Sequence, residues 1–201
     1  YSFIKISITA NSFFNITFVT TNINMRKNTI LIGMAAIALT LGSCGSNASE
    51  ASGADSVATA DSSASTYTVD AASSNVVWFG THTVGTGDHN GTINITEGSL
   101  SIAGGNITAG SFVIDMASIK CTDSLPAEYL TKLHGHFAAE DFFNTAKFAT
   151  AKFEITACEV KADGDNTHLI SGNLTIKDST KNISFPAKVA VGESLTATGT
   201  V

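Results

Sequence analysis

From Tyr67 onward this chain repeats one pattern: short stretches in which apolar and polar residues alternate with period two, each bounded by Gly, Asn or Asp. Val76-Val-Trp-Phe79 ends at Gly80, and Gly91–Glu97 sets Ile93 and Ile95 against polar neighbours. Ile107–Met116 puts Phe112, Ile114 and Met116 on one face, and Phe148–Val160 does the same with Phe153, Ile155 and Ala157. His168–Ile176 and Lys181–Val191 continue the rhythm, the latter with Ile183, Phe185, Ala187 and Val189. Alternation of this kind marks strands with one face buried, and many such strands spaced by turns make an antiparallel sandwich or barrel. One segment departs from it. Ser124–His134 carries Pro126 early and spaces Leu130, Leu133 and Phe137 as a helix does, which predicts a short helical excursion stopped at Gly135 before Asp141-Phe142-Phe143 re-enters the domain.

Composition agrees with an all-β domain. Of the 201 residues 14% are charged and 43% hydrophobic, with 17 Gly and 2 Pro, and the length suits one ordinary domain with its own core. The formal net charge is −6, but Lys5, Arg26 and Lys27 all precede Cys44 and every acidic residue follows it. The chain from Cys44 onward therefore carries eight lysines against seventeen acids, a net charge of −9. Such a surface repels nucleic acid.

The N-terminal third reads as targeting sequence. Tyr1–Asn24 has no Met and precedes a better start at Met25, so residues 1–24 are expected to be upstream sequence outside the true protein. Residues 25–43 have the order of a signal peptide: the basic pair Arg26-Lys27, the apolar run Ile30–Leu39, then Leu41-Gly42-Ser43. The run is shorter than the about 20 residues a permanent span needs. Leu41-Gly-Ser-Cys44 resembles the bacterial lipobox, in which the Cys takes a diacylglyceryl group and becomes the new N-terminus. Cys44 is thus the expected lipidation site and membrane anchor, and Gly45 after it points to the outer membrane, facing the periplasm. Residues 44–66 hold one large apolar residue, Val57, and no Lys or Arg. They read as a flexible tether with an r.m.s. span of about 25 Å.

The domain of residues 67–201 resembles the YceI-like family. The resemblance is carried by Tyr67-Thr-Val-Asp70, Val76-x-Trp78, Gly98-x-Leu100, Ile114-Asp115-Met116 with Ser118-Ile119, and His136-Phe137 ahead of Asp141-Phe142-Phe143. Phe148–Phe153, Gly172-x-Leu174-Thr-Ile176, Thr180-Lys181 and Phe185-Pro186 follow in the same order. It implies an antiparallel lipocalin-like β-barrel with a helical excursion, holding a polyisoprenoid, fatty acid or related lipid, with no cofactor and no catalytic residues. The family's pattern runs on past the position of Val201, so the resemblance also implies a C-terminally truncated domain whose barrel does not close, leaving an open edge. A dry-cored structural or protein-interaction module is the alternative, and the oligomeric state, a homodimer included, stays open.

The positions expected to face an apolar lumen are Trp78, Phe112, Ile114, Met116, Phe142, Phe143, Phe153, Ile155, Leu174, Ile176, Ile183 and Phe185. Among polar residues, His134-Gly-His136 is the tempting metal pair, but no Cys or carboxylate stands near it at a typical ligand spacing, and no metal is expected. Cys121 and Cys158 leave a disulfide open, since the expected compartment is oxidising and their separation is unknown. Asp115 reads as a rim or turn contact. No Gly-x-Ser-x-Gly elbow or phosphate loop is present.

Overall fold

The computed structural model describes residues 14–28, 53–82, 88–192 and 194–201. Among these residues nine strands form a single antiparallel sheet. They are β1 (Phe14–Asn28), β2 (Ser65–Val69), β3 (Asn75–His82), β4 (Asp88–Ala103), β5 (Asn106–Cys121), β6 (Thr150–Asp163), β7 (Asn166–Ile176), β8 (Ser179–Val191) and β9 (Ser194–Thr200), with α1 (Ala127–Ala138) between β5 and β6. From β3 to β9 each strand pairs with the next, and β1 pairs with both β3 and β9, so the sheet closes on itself. β2 prolongs the line of β3: it bonds Met25–Asn28 of β1 and Ser99–Ile102 of β4, while β3 bonds Phe14–Thr21 of β1 and Asp88–Asn94 of β4. The result is an all-β antiparallel barrel with one helical excursion, as the resemblance implies; the alternation alone left sandwich and barrel open. No helix among the described residues is long and apolar enough to cross a membrane.

Closure differs from expectation. The edges of β3 and β9 are covered by Phe14–Asn28, residues that the sequence assigns partly to upstream sequence and partly to the signal peptide's basic region. The physical reason is visible in the strand itself, FNITFVTTNINM, which is rich in β-branched and aromatic residues and alternates like the domain's own strands. Its Met25 is buried in the core. Cys44 and the apolar run Ile30–Leu39 lie outside the described residues.

Part of the tether is also not free coil. The backbone N–H of Asp55 donates to Asn173 Oδ1 at 2.9 Å, and Asn173 Nδ2 donates to the Asp55 carbonyl at 2.7 Å. Three residues on, the Ala58 N–H donates to the Ile155 carbonyl at 2.9 Å, at a point where the β6–β7 register shifts between Ile155 and Ala157. A bulge releases a ladder acceptor, and the strap takes it. With the Asp61 N–H donating to Thr108 Oγ1 of β5 at 3.4 Å, the strap is held against β5, β6 and β7 although it brings almost no apolar surface, because the barrel offers partners to its backbone at Asp55, Ala58 and Asp61.

Helix α1 begins after Pro126 (φ −55°) and runs through the expected stop at Gly135 to Ala138. An interior Gly costs about 1 kcal/mol relative to Ala. Continuing the helix buries Phe137 completely, and burying a Phe returns about 1.5–3 kcal/mol. Packing outweighs propensity.

Candidate functional site

Inside the barrel lies a cavity of about 80 Å³, lined by Val76, Ile95, Leu100, Phe112, Ile114, Met116, Phe153, Ile155, Ile170, Leu174, Ile176, Ile183, Phe185, Ala187, Ala197, Thr198, Gly199 and Val201. None of these carries an ionisable group. The expected lumen positions Phe112, Ile114, Met116, Phe153, Ile155, Leu174, Ile176, Ile183 and Phe185 all stand on this wall. Period two puts them there: on β7, for example, Ile170, Leu174 and Ile176 face inward, while Asn173 and Thr175 bond outward partners.

Trp78, Phe142 and Phe143 do not line the cavity. They form an aromatic cluster with Phe137: Trp78 meets Phe137 edge-on with centroids 5.1 Å apart, and Phe142 meets Phe143 edge-on at 4.7 Å. Phe137 lies 5.5 Å from Phe142. The cluster joins α1 and its following turn to the barrel end where β5 gives way to the helix. The Trp78 indole N–H donates to the Lys120 carbonyl at 3.1 Å. That bond passes over Gly91, where a Cβ would stand 2.6 Å from the indole nitrogen.

Sequence reasoning missed Val76, Ile95, Leu100, Ile170, Ala187, Ala197, Thr198, Gly199 and Val201. A signal existed for several of them. Ala187 continues the face of Ile183 and Phe185, and Ile95 alternates with Thr96. Leu100 was harder, because the β4–β5 register shifts between Ile95 and Glu97 and the inward face moves from odd to even positions.

The histidines divide their roles. His134 Nε2 accepts the Cys121 backbone N–H at 3.1 Å, while the His136 ring tilts against Phe142 at 5.1 Å. They do not converge. His168 lies buried on β7 with Nδ1 2.7 Å from Thr167 Oγ1, and burial holds its pKa below the ordinary value. Asp115 accepts from the Ala117 N–H at 3.0 Å, the local turn contact expected of it.

Cys121 and Cys158 are both free. Cys121 ends β5 beside α1, whereas Cys158 lies beyond the opposite end of the β5–β6 pairing, which runs from Ser111↔Glu154 to Asp115↔Thr150. At about 3.3 Å per residue this places them roughly 40 Å apart along the sheet, far outside bridging distance. Burial, assisted by the charge of Glu159, pushes the Cys158 thiol up to about 11. Burial likewise raises the Cys121 thiol.

Residues 67–201 match the model of the YceI-like domain. The chain belongs to the YceI-like family. Among curated relatives, a UPF0312 protein of Shewanella sp. strain ANA-3 is 37% identical over 103 residues, covering 51% of this chain and 50% of its own. A UPF0312 protein of Shewanella sp. strain W3-18-1 is 48% identical over 58 residues, 29% of each chain. One from Pseudomonas fluorescens SBW25 is 46% identical over 52 residues, 26% of each. The chain thus spans half or less of the length of these relatives.

Proposed function

We propose that this YceI-like protein is a binder, not an enzyme, and that it holds a long apolar molecule, a polyisoprenoid, a fatty acid or a related lipid, in the barrel lumen. The observation that carries the reading is the unfilled apolar space itself. Protein interiors rarely leave voids larger than a water molecule, yet about 80 Å³ stands open here among side chains that offer water no ionisable partner. Maintaining such a void costs about 2 kcal/mol at 24 cal/mol per Å³. A ligand recovers that cost, and each Å² of apolar surface it buries adds about 25 cal/mol. Occupancy by a whole chain requires the lumen to widen, since pockets for drug-sized ligands run to about 300–1,000 Å³.

The remaining parts of the proposal are the address and the anchor. Export by the signal peptide of residues 25–43, lipidation at Cys44 and retention at the outer membrane, facing the periplasm, put the lumen within reach of a membrane-soluble ligand. Purification from the native membrane, organic extraction and mass spectrometry test the reading. Recovery of a stoichiometric prenyl or acyl lipid is expected. A protein that is repeatedly empty and refuses prenyl and acyl chains in vitro overturns it.

The small volume also favours a second reading, in which the core is dry and the outer surface serves an envelope protein partner. The same extraction separates the two.

A further inference from the structure

Outside the lumen, at the rim where β4 starts and β5 ends, three ligand-type side chains meet. His89 Nδ1 is 2.8 Å from Asp123 Oδ2, and Cys121 Sγ is 3.3 Å from that same oxygen. All three donor atoms lie within 4.8 Å of one another. We propose that His89, Cys121 and Asp123 bind one borderline transition cation of the zinc class, with the fourth position left to water.

The chemistry of the donor set supports this choice. A thiolate and an imidazole favour zinc-like ions over calcium or magnesium, which take oxygen ligands. One thiolate and one carboxylate neutralise a dication. Tetrahedral zinc needs donors at about 2.0–2.3 Å from the metal, hence about 3.3–3.6 Å from one another. Seating the ion therefore requires the His–Asp contact to open by about half an ångström. The site is reachable, since the His89 and Asp123 side chains are 20% and 17% exposed.

The surroundings hold these groups in place. Asn90 Nδ2 donates to Asp123 Oδ1 at 2.6 Å, so the other oxygen is the one presented to His89 and Cys121. Thr122 Oγ1 donates to Asn90 Oδ1 at 2.8 Å and fixes that amide. His134 Nε2, on α1, accepts the Cys121 N–H. Supports of this kind orient metal ligands and set their affinity. On binding, the thiol proton leaves to solvent and the imidazole proton moves from Nδ1 to Nε2, so one proton is released per ion when His89 is neutral. The ion would clamp the start of β4 to the segment that leads into α1.

The test uses the full chain, reduced and stripped with chelator, titrated with zinc and with cobalt(II) as a spectroscopic stand-in. Expected are one ion per chain with a dissociation constant in the micromolar range or tighter, a thiolate-to-cobalt charge-transfer band, and a rise in Tm on adding zinc. Cys121→Ser removes the band and weakens binding at least tenfold; Asp123→Asn weakens binding at least tenfold but keeps the band of the ion that binds, and Asn90→Ala weakens it about tenfold. Cys158→Ser leaves all three readouts unchanged. Far-UV circular dichroism checks that each variant folds, and His89→Gln replaces any that does not. Millimolar affinity, a cobalt spectrum without the band, or tight binding that survives Cys121→Ser overturns the proposal.

Discussion

Phe185 on β8 packs directly against Gly199 on β9, where a Cβ would stand 2.8 Å from both Cδ2 and Cε2 of the ring. Phe153 covers Gly172 in the same way, and Phe112 covers Gly98. The Phe153 and Phe185 rings meet at 5.6 Å. Glycine inside a strand normally weakens it. Here the missing side chains let bulky rings lie against the wall, which keeps space open in the lumen.

Gly199→Ala and Gly172→Ala should therefore drive Phe185 and Phe153 into the cavity. Overpacking of this kind costs about 1–3 kcal/mol. The expected outcome is that loss in denaturant unfolding, together with at least tenfold weaker uptake of a fluorescent fatty acid. Phe153→Ala should do the reverse: about 3–5 kcal/mol less stable without ligand, with much of the loss restored by a long-chain lipid. Unchanged uptake in the glycine variants would detach the lumen from binding.

Asn173 is the fastening of the strap. Its amide holds both polar backbone groups of Asp55 and accepts from Asn182 Nδ2 at 3.0 Å. Asn173→Ala removes all three bonds from a buried position, an expected loss of about 1–3 kcal/mol. Hydrogen exchange should rise at Asp55 and Ala58 while the amides of β6 and β7 stay protected. Uniformly faster exchange would mean that the residue serves the sheet instead.

His168 gives the fold a pH dependence whose sign follows from its burial. Its folded pKa is below the ordinary value of 6.5, so the unfolded chain takes up a proton that the folded chain refuses. Its contribution is neutral above about pH 6.5, and stability falls as pH drops from there towards the folded pKa. The slope is at most about 1.4 kcal/mol per pH unit for one proton. Denaturant midpoints between pH 7.5 and 5.5 should fall more steeply in the wild type than in His168→Gln. Parallel curves would show that the carboxylates dominate.

Cys121 and Cys158 should not bridge to each other. Intact mass should show no 2 Da change on reduction. With its thiol pushed up to about 11, Cys158 has about a hundredfold less thiolate at pH 8 than an ordinary cysteine, partly offset by greater nucleophilicity. Alkylation about tenfold slower than for a free thiol is expected. A rate equal to that of a free thiol would show that β6 opens there.

What could be read from sequence divides along physical lines. Period two assigned Phe112, Ile114, Phe153 and Phe185 to the inner face because a half-buried strand imposes it locally. It gives a face but no height along the barrel, so Trp78 was grouped with the lumen although it belongs to the cluster at the helical end. The strap was illegible because the partners of Asp55 and Ala58, Asn173 and Ile155, lie about a hundred residues away and no apolar residue marks the contact. The His89–Cys121–Asp123 triad was hidden likewise, by a separation that only the β4–β5 pairing closes.

The sharpest remaining conflict concerns β1. Cleavage before Cys44 would remove Phe14–Asn28, which bonds β3 from Asn75 to His82 and β9 from Ser194 to Thr200. It would also empty the place of Met25, a fully buried side chain. Deleting a buried Met side chain alone costs about 2–5 kcal/mol, and two exposed strand edges invite pairing with other chains. The full chain and a chain starting at Cys44 can be compared directly. If β1 is structural, the shorter chain unfolds at lower denaturant, exchanges its β3 and β9 edge amides rapidly and self-associates. Equal stability and equal protection of those edges in the shorter chain would show that β1 merely occupies a slot, and would leave residues 25–43 free to act as the removable signal on which anchoring at Cys44 depends.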